Sequence, residues 1–150
     1  MARFRYRMQS ILNIKYQLEN QAKMDLGRAQ GILMEEEEKL ETFLDRKEAY
    51  LEEGRQMRSR ELNVHELKDN TYAVQVMDEM IGRQREQVAR AEEAVEAARD
   101  KLREIMQERK MQERLKEKAL EQFMREENAA EFKTVDELTS YTYGKRGKEE

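Results

Sequence analysis

The sequence predicts an all-α fold: a two-helix antiparallel coiled-coil hairpin, rod-like, with a frayed C-terminal tail. Three observations carry that prediction. Charged residues make up 41% of the 150-residue chain against 38% hydrophobic ones, and proline, cysteine and tryptophan are absent. Two long amphipathic stripes run through the chain, and one capping signal separates them. So charged a chain buries too little apolar surface for a compact globule. Its dominant residues, Glu, Lys, Arg, Gln, Leu, Met and Ala, lose the least freedom in a helix.

The first helix is expected over about 5–58. Between Met8 and Leu51 the apolar residues keep an eleven-residue beat, with Ile11, Ala22, Leu33 and Leu44 in one row and Leu18, Ala29, Leu40 and Leu51 in another. Such a repeat, about 3.67 residues per turn, predicts a straight or weakly right-handed helix.

The turn is expected at about 59–63 within "GRQMRSRELNVHELK". Asn63 followed by Glu66 forms a capping box, in which the Asn oxygen takes an orphan amide and the Glu reaches back to the cap residue. So short a connection makes the helices antiparallel neighbours. Folding about residue 61 sets Gly27, Ala29 and Gly31 opposite Ala91, Ala94 and Ala98, where closest approach is expected.

The second helix is expected over about 64–128 and keeps time in sevens. Leu67, Val74, Ile81, Val88, Val95 and Leu102 hold one position, and Met77, Ala91, Ala98 and Ile105 the other. That is a heptad seam. It decays after Ile105, where Arg109, Gln112 and Lys116 take seam positions. The coil is taken as one domain over 1–138, and 139–150, with Gly144 and Gly147, reads as a flexible tail.

Function classes fall away in turn. No run of roughly 18 to 20 apolar residues is present, so no direct membrane span is expected. The segment Met8 to Ile14 is interrupted by Gln9, Ser10 and Asn13 and lacks a small-residue cleavage site, which argues against a secretory signal. The arginine-rich, acid-free start also fits a mitochondrial presequence, the weaker reading. Lack of cysteine excludes disulfides and thiolate metal sites and suits a cytoplasmic setting. A net charge of −4 argues against nucleic acid as a partner. His65 in "HELKD" lacks the second histidine of a zinc helix, and no phosphate loop or nucleophile elbow occurs. The expectation is therefore no enzyme, no catalytic residues, no metal and no cofactor.

Two surfaces stand out. Tyr72, Val76 and Met80 stack beside the second seam, and Phe43 and Tyr50 flank the first helix's rows; the pairing rule makes Tyr50 meet Tyr72 and Phe43 meet Met80. They either broaden the hairpin's own interface or form a binding patch. At the open end, Arg3, Arg5 and Arg7, interleaved with Phe4 and Tyr6, come beside Arg109, Lys110, Arg114 and Lys116. This makes a basic collar unless Glu108, Glu113 and Glu117 neutralise it.

Three stretches, "FRYRMQSILNIKYQLENQAKMDLGRAQ", "LNVHELKDNTYAVQVMDEMIGRQREQV" and "NAAEFKTVDELTSY", resemble the FliJ family of the bacterial flagellar type III export apparatus. The resemblance implies a coiled coil similar to the stalk of rotary ATPases, seated in the ring of the flagellar export ATPase FliI. It further implies contact with the export gate protein FlhA, binding of substrate-specific export chaperones, and a place at the cytoplasmic face of the membrane at the flagellar base. The gate contact carries over to Ala73, Met77, Met80 and Gln84. Ala73 and Gln84 depart from the family's larger or ionisable residues, so the carry-over rests on Met77 and Met80. On this reading Phe43, Tyr50, Tyr72, Val76, Met77 and Met80 are the gate candidates, and the basic collar faces the ATPase ring. The alternatives are the equivalent stalk of an injectisome or rotary ATPase, and a structural coil that self-associates as a four-helix bundle.

Overall fold

The computed structural model describes residues 2–149, and side chains over 2–147; Met1 and Glu150, the latter the end of the expected tail, lie outside the described residues. Two helices, α1 (Gln9–Arg58) and α2 (Val64–Glu149), pack against each other as an antiparallel hairpin. The turn falls where the sequence puts it. The Asn63 side-chain oxygen accepts from the amides of His65 at 3.1 Å and Glu66 at 3.4 Å, so α2 opens at Val64. Ser59 closes α1 by donating its amide to the Arg55 and Gln56 carbonyls.

Both other ends differ from expectation. α1 starts at Gln9 rather than near residue 5, because Phe4 and Tyr6 leave the helical path to pack on α2. α2 continues to Glu149 rather than ending near 128, and the expected tail is helical. No proline interrupts it, and an exposed helix glycine such as Gly144 costs only about 1 kcal/mol. Residues 129–147 are exposed throughout.

The chain divides into two compact units, Glu19–Glu104 and Met1–Leu18 with Ile105–Glu150. In the first, the covered face of α1 is Glu19, Ala22, Leu26, Ala29, Leu33, Glu36, Leu40, Phe43, Lys47, Tyr50, Gly54 and Met57, with Asp25 and Leu51 also half-buried beside it. The main steps alternate between three and four, as in a heptad seam, which takes in Ala22, Ala29, Leu33 and Leu40 of the expected eleven-residue rows. Ile11, Leu18 and Leu44 of the expected rows are exposed. On α2 the core is Met77, Ile81, Ala91 and Val95. Burying side chains such as Met77 and Ile81 stabilises the unit by about 1.5 to 3 kcal/mol each.

Polar groups in this seam reach the opposite helix. Asn70 Nδ2 donates to the Tyr50 carbonyl at 2.8 Å, and Gln84 Nε2 donates to the Glu36 carbonyl at 2.9 Å and to its carboxylate at 2.5 Å. Lys47 Nζ lies 2.6 Å from Asp78. These pairs hold α1 and α2 antiparallel in one register.

Gly27 and Gly31 are exposed, and a Cβ on either would meet nothing within 4 Å, so neither glycine faces the opposite helix, whereas Ala29, Ala91 and Ala98 of the same expected level are covered. At Gly54, by contrast, a Cβ would lie 2.6 Å from Asn70 Oδ1. Alanine should therefore act with opposite signs. Gly27→Ala and Gly31→Ala should each stabilise by up to about 1 kcal/mol through helix propensity. Gly54→Ala should lower the melting temperature, because moving Asn70 breaks its bond to Tyr50 and strands a buried amide. Thermal unfolding followed by circular dichroism checks both, and destabilisation by Gly27→Ala would restore the close-approach reading.

Candidate protein-interaction surfaces

In the unit of Met1–Leu18 and Ile105–Glu150, the sequence alternates apolar and basic residues before α1, and the burial alternates with it. Phe4 and Tyr6 are half-buried, whereas Arg3, Arg5 and Arg7 are exposed. The Phe4 ring packs on Phe123 with centroids 5.5 Å apart and planes tilted by 52°. Tyr6 Oη donates to Gln112 Oε1 at 2.9 Å. Two aromatic anchors thus clamp the segment to α2 and turn its arginines outward. Those arginines do not serve the helix: an N-terminus favours acidic residues, and the first turn of α1 has none.

Of the carboxylates expected to neutralise the collar, Glu108 is engaged by Lys15, Glu113 pairs with the collar's own Arg109, and Glu117 is exposed. Lys15 Nζ donates to Glu108 Oε2 at 2.6 Å. Glu113 Oε1 accepts from Tyr16 Oη at 2.6 Å and Arg109 Nη1 at 3.0 Å. The hydroxyl of Tyr16 first, and the Arg109 guanidinium second, hold the Glu113 carboxyl below its ordinary value of 4.5. Arg109, with its guanidinium 6.0 Å from the Tyr16 ring centroid, belongs to this internal lattice more than to the collar. Lys116 is half-buried, and Lys110 and Arg114 are exposed. The outward cations are therefore Arg3, Arg5, Arg7, Lys110 and Arg114. Tyr16 escaped the sequence reading, since it lacks a periodic signal of its own; Phe123 lies on a stripe with Met111, Leu115 and Ala119, and the Phe4 and Tyr6 alternation was the clue to its partner.

The gate candidates near the turn separate into three kinds. Met77 is only 4% exposed and is a core residue, covered by α1. Phe43 and Tyr50 sit half-buried in the α1 seam. Tyr72 is 68% exposed, with Val76 and Met80 half-buried on the same helix. Among the described residues the Tyr50 and Tyr72 rings make no ring contact, contrary to the pairing rule. The reason is that Tyr50 faces the seam, where Asn70 takes its carbonyl. Gln84 is likewise committed to Glu36, and Ala73 lies half-buried. An open groove of ≈ 390 Å³ beside Tyr50 is lined by Met57, Ala73 and Asn70 and rimmed by Glu53, Glu66 and Asp69. Among the described residues no cluster of three or more acidic or histidine side chains could hold a metal, and no helix is long and apolar enough to cross a membrane.

The family model described as "Flagellar FliJ protein" matches residues 4–148. The chain belongs to the FliJ family. Its match begins at Phe4, the first anchor of the arginine segment, and takes in both surfaces apart from Arg3. Among solved structures, a protein described as a YscO homolog, CT670 from Chlamydia trachomatis, is similar in fold, with a TM-score of 0.64 at 20% identity over 99% of this chain and 100% of that one. No curated protein matches the chain.

Because the folded Glu113 carboxyl is lowered, the stability it contributes is complete above the ordinary carboxylate pKa and is lost as pH falls through the folded value. Titration of Glu113 by carbon-detected NMR should give a midpoint below 4.5. In Tyr16→Phe the midpoint should rise towards the ordinary value, and an unchanged midpoint would remove the hydroxyl as the main cause.

Proposed function

We propose that this FliJ family member is a non-enzymatic, coiled-coil component of the flagellar type III export apparatus that couples the export ATPase ring of FliI to the gate protein FlhA and escorts export chaperones. The observation that carries this reading is the family match over 4–148, joined to an end of the molecule where Arg3, Arg5 and Arg7 face solvent and Glu108 and Glu113 are held by Lys15, Tyr16 and Arg109. Arg3, Arg5, Arg7, Lys110 and Arg114 would meet acidic loops of the ring, where complementary charge speeds association and weakens with salt. Tyr72, with the exposed edges of Val76 and Met80, would supply the gate contact. Met77 would act behind them by holding α2 in place. The fold likeness to the YscO homolog keeps an injectisome counterpart as the second reading.

Replacing Arg3, Arg5 and Arg7 together by Gln should reduce stimulation of the export ATPase at low salt and flatten its salt dependence, with helicity unchanged. Full stimulation with an unaltered salt profile would move the ring contact elsewhere. In parallel, Tyr72→Ser should weaken capture of the gate protein's soluble portion while the melting temperature stays within a degree or two, since surface substitutions usually cost no more than about 0.5 kcal/mol.

A further inference from the structure

Each helix also carries an exposed stripe of one charge sign facing away from its seam, the α2 stripe sharing only Arg114 with the basic surface above. On α1 it runs Met34, Glu37, Glu38, Glu41, Asp45 and Glu48, all exposed. No lysine or arginine enters this stripe; Glu48 alone is reached by Arg55, at 3.4 Å. On α2 the stripe runs Met111, Arg114, Leu115, Lys118, Gln122 and Arg125, again all exposed. It contains no acid, and among the described residues Arg114, Lys118 and Arg125 have no ion pair.

The two stripes share one spacing. Counted from Met34 or from Met111, the members fall three, four, seven, eleven and fourteen residues on. That is the period of a helix ridge able to interdigitate with another helix. Laid parallel in that alignment, Met34 meets Met111, Glu37 meets Arg114, Glu41 meets Lys118 and Glu48 meets Arg125. Glu38 then covers Leu115 with its methylenes, and Asp45 meets Gln122.

We infer that the acidic ridge of α1 and the basic ridge of α2 are complementary docking faces through which a second copy of this chain binds, α1 of one copy lying parallel to α2 of the other. The contact is heterologous, joining different patches on the two copies. It is mostly electrostatic, with one methionine pair at its end, so it is weak at physiological salt and strengthens as ionic strength falls. A membrane surface is a poorer occupant for the basic ridge, because Met111 and Leu115 alone give too little apolar area to insert.

Sedimentation velocity of the full chain at low and high salt, over a concentration series, tests this. The expected result is a concentration-dependent associated species at low salt that disappears at high salt. Glu37→Lys with Glu41→Lys should abolish it, as should Arg114→Glu with Lys118→Glu, and an equimolar mixture of the two variants should recover a mixed species. All four positions are exposed, and circular dichroism should show unchanged helicity. A wild type that stays monomeric at low salt, association that survives either reversal or high salt, or a mixture that stays monomeric would each overturn the inference.

Discussion

Everything in this chain hangs on one seam. Each helix of a two-helix hairpin has a single neighbour, so no second layer covers what that seam leaves open. The apolar residues that fill it are few and mostly modest in size, among them Ala22, Ala91, Val95, Ile81 and Met77. Between them stand Asn70, Gln84 and Gln112, spaced in whole heptads on α2, each bonded to a partner on the other strand of the hairpin: the Tyr50 carbonyl, Glu36 and the Tyr6 hydroxyl. An amide in a packed seam is expensive unless its partner is opposite, and a slip of one heptad removes that partner. Such residues give up stability in exchange for a unique register.

That register places the surfaces. With Gln112 receiving Tyr6 and Phe123 receiving Phe4, the segment before α1 has one seat, and its arginines have one direction to face. Engagement of Glu108 and Glu113 by Lys15, Tyr16 and Arg109 follows from the same packing. Charge on the outside is therefore a consequence of how polar groups are satisfied on the inside. Near the turn, the same logic reserves Asn70, Tyr50 and Gln84 for the seam and leaves Tyr72 in solvent.

The turn and the α2 seam were legible because their signals are local and strong: a capping asparagine at the right offset, and branched or small apolar residues in sevens over six turns and more. The α1 seam was legible only in its middle, through Ala22, Ala29, Leu33 and Leu40. Lys15, Glu19, Glu36 and Lys47 occupy its covered positions, so an apolar count drifts to the rows through Ile11 and Leu44 instead. Each is tolerated by a contact that periodicity does not report, Lys15 with Glu108, Glu19 with Lys23, Glu36 with Gln84 and Lys47 with Asp78. The glycine pair at 27 and 31 misled for the opposite reason: a small residue permits close approach without requiring it, and only at Gly54 does a neighbour occupy the vacated space. Of the candidate site, the arginine alternation was readable, while its lock through Tyr16, Glu113 and Phe123 depended on contacts between residues about a hundred positions apart.

Register is the claim from which the surfaces follow, and because the chain has no cysteine it can be measured by paired cysteines without background. Cysteines replacing Glu36 and Gln84 should form an intramolecular disulfide under mild oxidation, whereas Glu36 paired with Met77 or with Ala91, one heptad to either side, should not. Equal or faster cross-linking of either slipped pair would contradict the register, and with it the placement of the gate candidates in the unit Glu19–Glu104.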